Sequence, residues 1–248
     1  MAGAAVLGRL TWREADVARV VDETARVRTL ELDVADWPGH RPGQHVDVRL
    51  TADDGYQAQR SYSLASAPGD SPAITVERLE AGEVSPYLVD DVVAGDRFEV
   101  RGPVGGYFVW ETSTGGPLLL VAGGSGVVPL MAMIRHRAAE GSSVPARLLY
   151  SSRTLEDVIF RDELARLAAR ADGLEVFHTL TREQPAGWQG YARRVDDELL
   201  DEVAWPAVEQ PLVFVCGPTG FVEAAAAGLV RLGHQPSRIR TERFGATG

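Results

Sequence analysis

Residues 118–129 read LLLVAGGSGVVP and decide the fold of the second half of this chain. Leu118 to Ala122 is a continuous apolar run of strand length, typical of a strand buried on both faces. A Gly-rich turn follows, and a helical stretch begins at about Val128 with Pro129 in its first turn. Glycines let the backbone approach a phosphate closely, and the N–H groups of a helix start favour an anion. The turn therefore predicts a phosphate-binding loop, with a tight strand-to-helix connection as the alternative.

The same alternation of strands and helices continues to the end of the chain. The further predicted elements are a strand at 147–150, a helix at 160–171, a strand at 174–179, a helix at 195–200, a strand at 212–215, a helix at 220–232 and a strand at 238–242. This order predicts a parallel, doubly wound sheet whose strands end at a common ligand crevice.

The first half consists of short segments of alternating polarity separated by turn residues. Such segments lie at 25–34, 45–50, 73–79 and 97–101. About six antiparallel strands at this spacing predict a small closed barrel, which leaves few exposed edges. One helix interrupts them, with Ser85 as its N-cap, Pro86 at its first position and Tyr87 to Val92 as its body. We therefore predict two domains, an antiparallel six-stranded β-barrel at 1–113 and an α/β domain with a parallel sheet at 114–248, joined by a linker at 111–116.

The composition excludes several classes of function. The chain has 248 residues, of which 45% are hydrophobic and 24% charged, as in soluble globular proteins. All 25 cationic residues are arginine, which excludes a lysine Schiff base and a Walker A lysine. The formal charge of -10 argues against binding to nucleic acid. The single cysteine, Cys216, cannot form an internal disulfide, a four-cysteine zinc site or a cysteine-ligated iron–sulfur cluster.

Charge and targeting signals add three expectations. Residues 1–113 hold 11 arginines and 19 acidic residues, whereas 114–248 hold 14 and 16, which indicates either an anionic ligand in the second domain or chance. The five histidines are scattered, so we predict no metal site. Met1 to Leu10 lacks a basic start and a long apolar run, so we expect no signal peptide, no membrane insertion and a cytoplasmic location.

Polar residues concentrate on one predicted barrel strand, QRSYSL at 59–64. Arg60 and Tyr62 share one face of this strand, and Ser61 and Ser63 share the other. A second stretch, VERLEAGEVS at 76–85, adds an arginine and a helix start that can bind an anion. A solvated strand face is the alternative interpretation.

A second strand–turn–helix transition, VFVCGPTGF at 213–221, places Cys216 on the ligand side of the parallel sheet. A lone cysteine at a strand end is more often a small packing residue than a reactive group. The residue pattern therefore leaves both roles open.

Five short motifs occur along the chain in a fixed order. They are Arg60-Ser61-Tyr62-Ser63, Gly82-x-x-Ser85, the turn from Gly123 to Pro129, Cys216-Gly217-Pro218 and Thr241-Glu242-Arg243-Phe244. Together they resemble the ferredoxin–NADP reductase superfamily of flavoproteins, over nearly the whole chain. The resemblance implies a flavin-binding barrel joined to a nucleotide-binding domain, with hydride passing from nicotinamide to flavin N5.

For the flavin, the resemblance implies that Arg60 pairs with its phosphate, that Tyr62 packs on the ring and ribityl chain, and that Ser63 lies near N5. The Gly82-x-x-Ser85 helix start serves a second phosphate, which implies FAD rather than FMN. Position 81, often glycine in the family, is alanine here. The implied flavin contacts are Arg60, Ser61, Tyr62, Ser63, Val76, Arg78, Gly82, Val84 and Ser85.

For the nucleotide, the resemblance implies NADPH in preference to NADH. A 2′-phosphate needs arginines after the second and third strands of the domain, where this chain has Arg153 and Arg182 and no acidic residue to bind a ribose diol. The implied nucleotide contacts are Gly123, Gly124, Ser125, Gly126, Ser152, Arg153, Thr181, Arg182, Cys216, Gly217, Pro218 and Phe244.

Four residues are predicted to act in the reaction itself: Ser63, Cys216, Glu242 and Phe244. Cys216 should border the nicotinamide, and Ser63 can hydrogen-bond N5. Phe244 stands where the family more commonly has a tyrosine, and we expect it to cover the flavin until nicotinamide enters.

The predicted function is that of an FAD-dependent NAD(P)H oxidoreductase. Family members often carry a fused iron–sulfur domain, and because this sequence has no cysteine cluster we expect an external acceptor: a ferredoxin, a flavodoxin, a cytochrome or an oxygenase component. We also expect a monomer. Two alternatives remain open, a flavin reductase that releases reduced flavin and a non-catalytic electron-transfer subunit of a larger complex.

Overall fold

A computed structural model of the chain describes residues 10–244. Met1 to Arg9, which carry most of the signal-peptide prediction, and Gly245 to Gly248 lie outside the described residues. Between 10 and 244, no helix is long and apolar enough to cross a membrane.

Six antiparallel strands form the sheet of the first half. They are β1 (Trp12–Thr24), β2 (Val27–Val34), β3 (His45–Thr51), β4 (Gln57–Ser63), β5 (Ala73–Glu77) and β6 (Arg97–Val104). Their spatial order is β4-β3-β6-β1-β2-β5. The outermost strands approach each other through a bridge between Leu64 and Ile74, beside which the Ala65 amide donates to the Ala73 carbonyl at 2.8 Å. The sheet thus curves toward closure, and the fold class predicted for this half is confirmed.

Alternating side chains fix the register of this sheet. On β3, Val46 and Val48 are buried in a core that also contains Leu30. Asp47, between them, points to the other face and pairs with Arg101, whose Nη2 lies 2.7 Å from Oδ2. Burying one valine or leucine side chain is worth about 1.5–3 kcal/mol, so a one-residue slip that exposed these side chains would be strongly disfavoured.

Strand β1 lacks clear alternation, which explains why it is absent from the predicted segments. Its pairing with β2 shifts register between Val17 and Arg19 and again between Asp22 and Thr24. Such irregularities change which face the following residues occupy, and they interrupt the period of two.

Helix α1 (Val84–Asp90) begins earlier than predicted. Its N-cap is Glu83, so Ser85 is already the second helical residue. The Ser85 hydroxyl accepts a hydrogen bond from the Leu79 amide at 3.1 Å and thereby closes the preceding turn. The prediction of Ser85 as N-cap is wrong, because its side chain bonds back to the turn and not to a helical N–H group.

Five parallel strands and four helices form the second half. They are β7 (Leu118–Gly123), α2 (Val127–Ala139), β8 (Ala146–Ser152), α3 (Arg161–Ala168), β9 (Leu174–Leu180), α4 (Asp197–Val203), β10 (Leu212–Pro218), α5 (Thr219–Arg231) and β11 (Ile239–Phe244). The strand order is β11-β10-β7-β8-β9, and each pairing is parallel. The predicted α/β domain with a parallel sheet is confirmed.

Strand β7 is buried on both faces, as its apolar run predicts. Leu118 and Leu120 belong to the core that contains α2, whereas Leu119 and Val121 belong to the core that contains α5. All four side chains are at most 1% exposed. Helices therefore cover both sides of the central strand.

Helix α3 is shorter than the predicted helix at 160–171. Phe160 is its N-cap and has a left-handed backbone with φ of 58°, and the helix ends at Ala168. Ala171 also has positive φ, which an α-helix cannot contain. Both boundaries depend on backbone geometry that hydrophobic periodicity does not report.

The two sheets share an apolar contact. Phe108, which follows β6, packs edge-on against Phe214 of β10 with ring centroids 5.2 Å apart. Polar contacts flank it, because Arg135 of α2 donates to the Ala65 carbonyl at 2.8 Å and Arg240 of β11 donates to the Val109 carbonyl at 2.6 Å. These contacts hold the barrel against one side of the parallel sheet.

Candidate functional site

The predicted nucleotide-binding residues lie at one edge of the parallel sheet. Register places Gly123 beside Ser151, and places Cys216 beside both Ala122 and Glu242. Since the carboxyl ends of parallel strands share an edge, the Gly-rich loop, the ends of β10 and β11 and the segments after β8 and β9 gather there.

The Gly-rich loop packs directly on the end of β10. A Cβ atom at Gly126 would lie 2.2 Å from the Cys216 carbonyl oxygen and 2.7 Å from the Gly217 nitrogen, so a larger residue would force the two segments apart. Gly124 has φ of +55° and no atom within 4 Å of its would-be Cβ, so this point of the loop faces open space. Helix α2 behind the loop has no side-chain cap and no acidic residue in its first turn. The loop thus offers free N–H groups to an anion.

Two buried groups lie side by side where β10 and β11 end. Burial raises the pKa of the Cys216 thiol, and the charge of Glu242 raises it further, so the thiol stays protonated. Burial also raises the pKa of the Glu242 carboxyl to about 7. Its Oε2 atom has no hydrogen-bond partner among residues 10–244. A buried carboxyl oxygen without a partner is costly, which indicates that a ligand or a proton satisfies it.

Two exposed arginines follow β8 and β9. The Arg182 amide donates to the Arg153 carbonyl at 2.9 Å, which holds the two segments together. Neither guanidinium forms an ion pair with any residue between 10 and 244, although most other described arginines do. The neighbouring Ser152 hydroxyl is buried and also lacks a partner in the described part of the chain. These groups are free to bind a phosphate.

On β4 the two faces lie as predicted. Arg60 and Tyr62 stand opposite Val48 and Val46, on the side of the barrel core. Tyr62 is half-buried against that core, and burial raises the pKa of its hydroxyl well above the usual value. The Arg60 guanidinium is exposed and donates to the Gln59 carbonyl at 2.6 Å. Its one ion pair within residues 10–244 is a long contact with exposed Glu83.

The serines of β4 differ in what they can offer. Ser61 donates its hydroxyl proton to Asp47 Oδ1 at 2.6 Å, so its side chain has no donor left for a cofactor. Ser63 stands opposite His45, is half-buried and forms no side-chain hydrogen bond within residues 10–244. Its hydroxyl remains available as a donor.

The side chains predicted to contact the flavin from 76 to 85 are mostly buried or paired, which leaves mainly backbone groups to offer a ligand. The Val76 and Val84 side chains are fully buried in the barrel core. Arg78 forms an ion pair with Asp90, with Nε 2.7 Å from Oδ2. Gly82 has room only for hydrogen, because a Cβ there would lie 2.8 Å from the Ser85 hydroxyl.

Three residues near these segments were not predicted from the sequence. Tyr56, just before β4, hydrogen-bonds Glu83 at 3.2 Å, and Glu83 Oε2 lies 4.0 Å from the Arg60 Nη2 atom. Glu77 at the end of β5 accepts a hydrogen bond from the Ser125 hydroxyl at 2.6 Å. A period-two pattern marks β5 as a strand but gives no sign that one side chain reaches a loop 48 residues away.

A mixed-charge groove of about 900 Å³ lies elsewhere, between the β1–β2 pair and α3. Its walls include Arg19, Glu23, Thr29 and Glu163, and none of its lining residues belongs to the predicted site. Its size therefore gives no support to a cofactor site at that position.

The residues present fit a flavin and a dinucleotide. On the barrel, an exposed guanidinium and a half-exposed aromatic ring, Arg60 and Tyr62, stand on one strand face. On the parallel sheet, the open loop at Gly124 offers donors to phosphates, as do Arg153 and Arg182, which form no ion pair within residues 10–244. The Ser125–Glu77 hydrogen bond brings the two groups of residues next to each other.

Family models match both halves of the chain. The model described as "Oxidoreductase FAD-binding domain" matches residues 16–109, and that described as "Oxidoreductase NAD-binding domain" matches residues 120–227. The first matched region covers most of the barrel, and the second covers the parallel sheet except its last strand, β11.

Curated relatives and solved structures agree with this match. The chain is 34% identical over 236 residues to a glycine betaine monooxygenase reductase subunit of Chromohalobacter salexigens, covering 92% of this chain and 63% of that protein. It is 34% identical over 228 residues to ferredoxin–NADP reductase B of Sorangium cellulosum, covering 88% and 91%. The FAD/NAD-binding domain of a nitric oxide dioxygenase from Vibrio cholerae superposes with a TM-score of 0.83 at 27% identity, covering 94% and 98%. The chain thus spans less than two thirds of the first of these relatives.

Proposed function

This chain belongs to the ferredoxin–NADP reductase superfamily of flavoproteins, and we propose that it takes hydride from NADPH onto bound FAD and passes the electrons to a separate redox centre. The observation that carries the proposal is the contact between the two sheets at Ser125 and Glu77, with Oγ and Oε2 2.6 Å apart. Since one residue lies in the phosphate-binding loop and the other on the flavin strand β5, ligands held by the two sheets would be neighbours. Hydride transfer needs that proximity above all.

The barrel residues hold and orient the flavin in this proposal. FAD, when bound, supplies the chemistry that accepts hydride and releases electrons one at a time. Arg60 is the cation available for its phosphate, and Tyr62 supplies an aromatic surface on the same strand face. Ser63 contributes a hydroxyl donor that no described side chain occupies. The backbone from Val76 to Ser85 completes the site.

The residues at the strand ends orient the nucleotide. Free N–H groups of the Gly-rich loop and α2 take the pyrophosphate. Arg153 and Arg182 bind the 2′-phosphate, which is our reason for proposing NADPH over NADH, since both guanidinium groups lack partners among residues 10–244.

Cys216 and Glu242 form the wall against which the nicotinamide would lie. A protonated thiol is small and weakly polar, so Cys216 excludes water without competing as a nucleophile. Glu242, with a pKa of about 7, can hold a proton or accept a hydrogen bond from a nearby amide. Phe244 closes the end of β11, opposite Pro218.

The acceptor lies outside these 248 residues, because their single cysteine cannot hold an iron–sulfur cluster. Two of the relatives are a monooxygenase reductase subunit and a ferredoxin–NADP reductase. We propose a ferredoxin or an oxygenase component as the acceptor. We also propose that residues 1–113 and 114–248 are the two domains and that the protein works as a monomer.

Anaerobic titration of the FAD-loaded protein tests the function. We expect one equivalent of NADPH to bleach the visible absorbance of the flavin, and NADH to do so only at much higher concentration. The absence of bleaching with both nucleotides would contradict the proposal and favour a non-catalytic subunit. A preparation that loses FAD on gel filtration yet reduces added flavin would favour a flavin reductase. Reoxidation by ferredoxins, added one at a time, then identifies the acceptor.

A further inference from the structure

Glu77 carries a negative charge into contact with a loop that binds anions. Its Oε2 accepts the hydrogen bond of Ser125 Oγ at 2.6 Å. Ser125 belongs to the single turn of 3-10 helix, Gly124–Gly126, that precedes α2. The carboxylate is therefore within a few ångströms of the N–H groups that a pyrophosphate would use.

No cationic side chain in the described part of the chain pairs with this carboxylate. The chain forms many Arg–carboxylate pairs, yet no guanidinium in residues 10–244 lies within 4.0 Å of Glu77. The nearest arginine in sequence, Arg78, is paired with Asp90 instead. The Ser125 hydroxyl is the hydrogen-bonding partner that the carboxylate has.

The negative charge of Glu77 also affects a residue inside the nucleotide-binding domain. Tyr150 on β8 is fully buried, and burial raises the pKa of its hydroxyl. The charge of Glu77 adds to this rise, although Glu77 belongs to the other sheet. Glu77, the half-buried last residue of β5, therefore extends from the flavin strand toward the nucleotide domain.

Two effects of Glu77 on a bound dinucleotide oppose each other. Its hydrogen bond fixes the orientation of Ser125 and so the position of the loop beside β5. Its charge repels the pyrophosphate, and in a partly exposed site the high effective dielectric constant keeps this repulsion modest. That repulsion corresponds to about a three- to tenfold loss of affinity.

We propose that Glu77 is a positioning residue that aligns the phosphate-binding loop with the flavin strand and weakens dinucleotide binding, so that oxidised nucleotide leaves readily. This inference rests on the proposed function. In this proposal the Glu77 side chain holds the phosphate-binding loop against β5 and also lowers the affinity for the nucleotide.

The variant Glu77→Gln separates the two effects, because the amide oxygen still accepts the Ser125 hydrogen bond whereas the charge is gone. We would measure the Kd of NADP+ for the FAD-loaded protein by calorimetry, without turnover. We expect the Kd to fall about three- to tenfold in Glu77→Gln. Glu209→Gln, at an exposed carboxylate on the short turn after α4, is the matched control and should leave the Kd unchanged.

Salt provides a readout that a purely structural role would not move. The Debye length falls from about 30 Å at about 0.01 M salt to about 3 Å at about 1 M, so the repulsion is screened. The ratio of the wild-type Kd to the Glu77→Gln Kd should therefore shrink toward one as salt rises. Ser125→Ala, which keeps the charge and loses the hydrogen bond, should bind NADP+ no more tightly than the wild type.

An equal or higher Kd for Glu77→Gln at low salt would overturn the inference while leaving the proposed function intact. Failure of the wild-type protein to bind NADP+ at all, or of NADPH to bleach its flavin, would overturn the proposed function and the inference with it.

Discussion

Cys216 and Glu242 lie opposite each other on the neighbouring parallel strands β10 and β11. Both side chains are largely buried, and the Glu242 Oε2 atom has no hydrogen-bond partner in the described part of the chain. The Gly-rich loop contacts the same point through Gly126, which lies against the Cys216 carbonyl. A carboxyl oxygen without a partner among residues 10–244, a protonated thiol and a glycine-rich loop before a helix thus share the edge of the sheet where strands of this type bind ligands.

The first prediction concerns the pH dependence of stability. Burial raises the pKa of Glu242 to about 7, whereas an unfolded glutamate has a pKa of about 4.3. Between these values the folded protein binds more protons than the unfolded chain, so the free energy of unfolding falls as pH rises from about 4.5 to about 7. Glu242→Gln has no such proton to lose. We therefore expect the Tm of Glu242→Gln to exceed the wild-type Tm by an amount that grows as pH rises from about 5 to about 8.

Thermal melts of the FAD-loaded proteins at several pH values check this expectation. Glu209→Gln, at an exposed carboxylate, serves as the control and should track the wild type at every pH. A constant difference in Tm between Glu242→Gln and the wild type would contradict the assignment.

The second prediction concerns nucleotide specificity. Arg182→Ala removes one of the two guanidinium groups that we assign to the 2′-phosphate, and a hydrogen bond to a charged group is worth about 1.5–3 kcal/mol. The kcat/KM for NADPH should fall about tenfold or more, and that for NADH should change by less than about twofold. Arg170→Ala, at an exposed arginine in the turn after α3, is the control. An equal fall in kcat/KM with both nucleotides would show that Arg182 does not bind the 2′-phosphate.

Much of the fold could be predicted because burial leaves periodic traces in the sequence. The apolar run of β7 reflects two covered faces, with Leu118 and Leu119 in different cores. The strand ends then gather the loop, the arginines and Cys216 at one edge without further information. The barrel was predictable for the same reason, since Val46 and Val48 alternate with polar residues.

The rest depends on contacts that no local pattern encodes. Ser85 occupies a sequence position suited to an N-cap, but its hydroxyl accepts a hydrogen bond from the Leu79 amide, and the helix begins two residues earlier than predicted, with Glu83 as its N-cap. Glu77 is one polar residue of an alternating strand, and its role is visible only when the other sheet brings Ser125 to it. Long-range side-chain pairing between domains is set by tertiary packing rather than by propensity.

The third prediction concerns the glycine that lets the loop meet β10. Ala at 126 would place its Cβ 2.2 Å from the Cys216 carbonyl oxygen and 2.4 Å from the Cys216 carbonyl carbon, so the loop and the strand must separate. We expect Gly126→Ala to destabilise the protein by about 1–3 kcal/mol, as overpacking does, and to weaken NADP+ binding. Gly220→Ala in α5 meets no atom within 4 Å and should be neutral or stabilising by up to about 1 kcal/mol. Urea unfolding of both variants measures the difference, and similar midpoints would contradict the close approach.

The last prediction concerns Phe244 at the end of β11, opposite Pro218 and 37% exposed. If its ring covers the flavin face, nicotinamide entry must displace it, and removing it would make binding more favourable. We expect Phe244→Ala to lower the Kd of NADP+ and to shift the visible flavin spectrum of the nucleotide-free protein, because the ring environment becomes wetter. Phe244→Tyr keeps an aromatic cover and should resemble the wild type in both measurements. Unchanged nucleotide affinity together with an unchanged spectrum in Phe244→Ala would mean that the ring does not lie over the flavin.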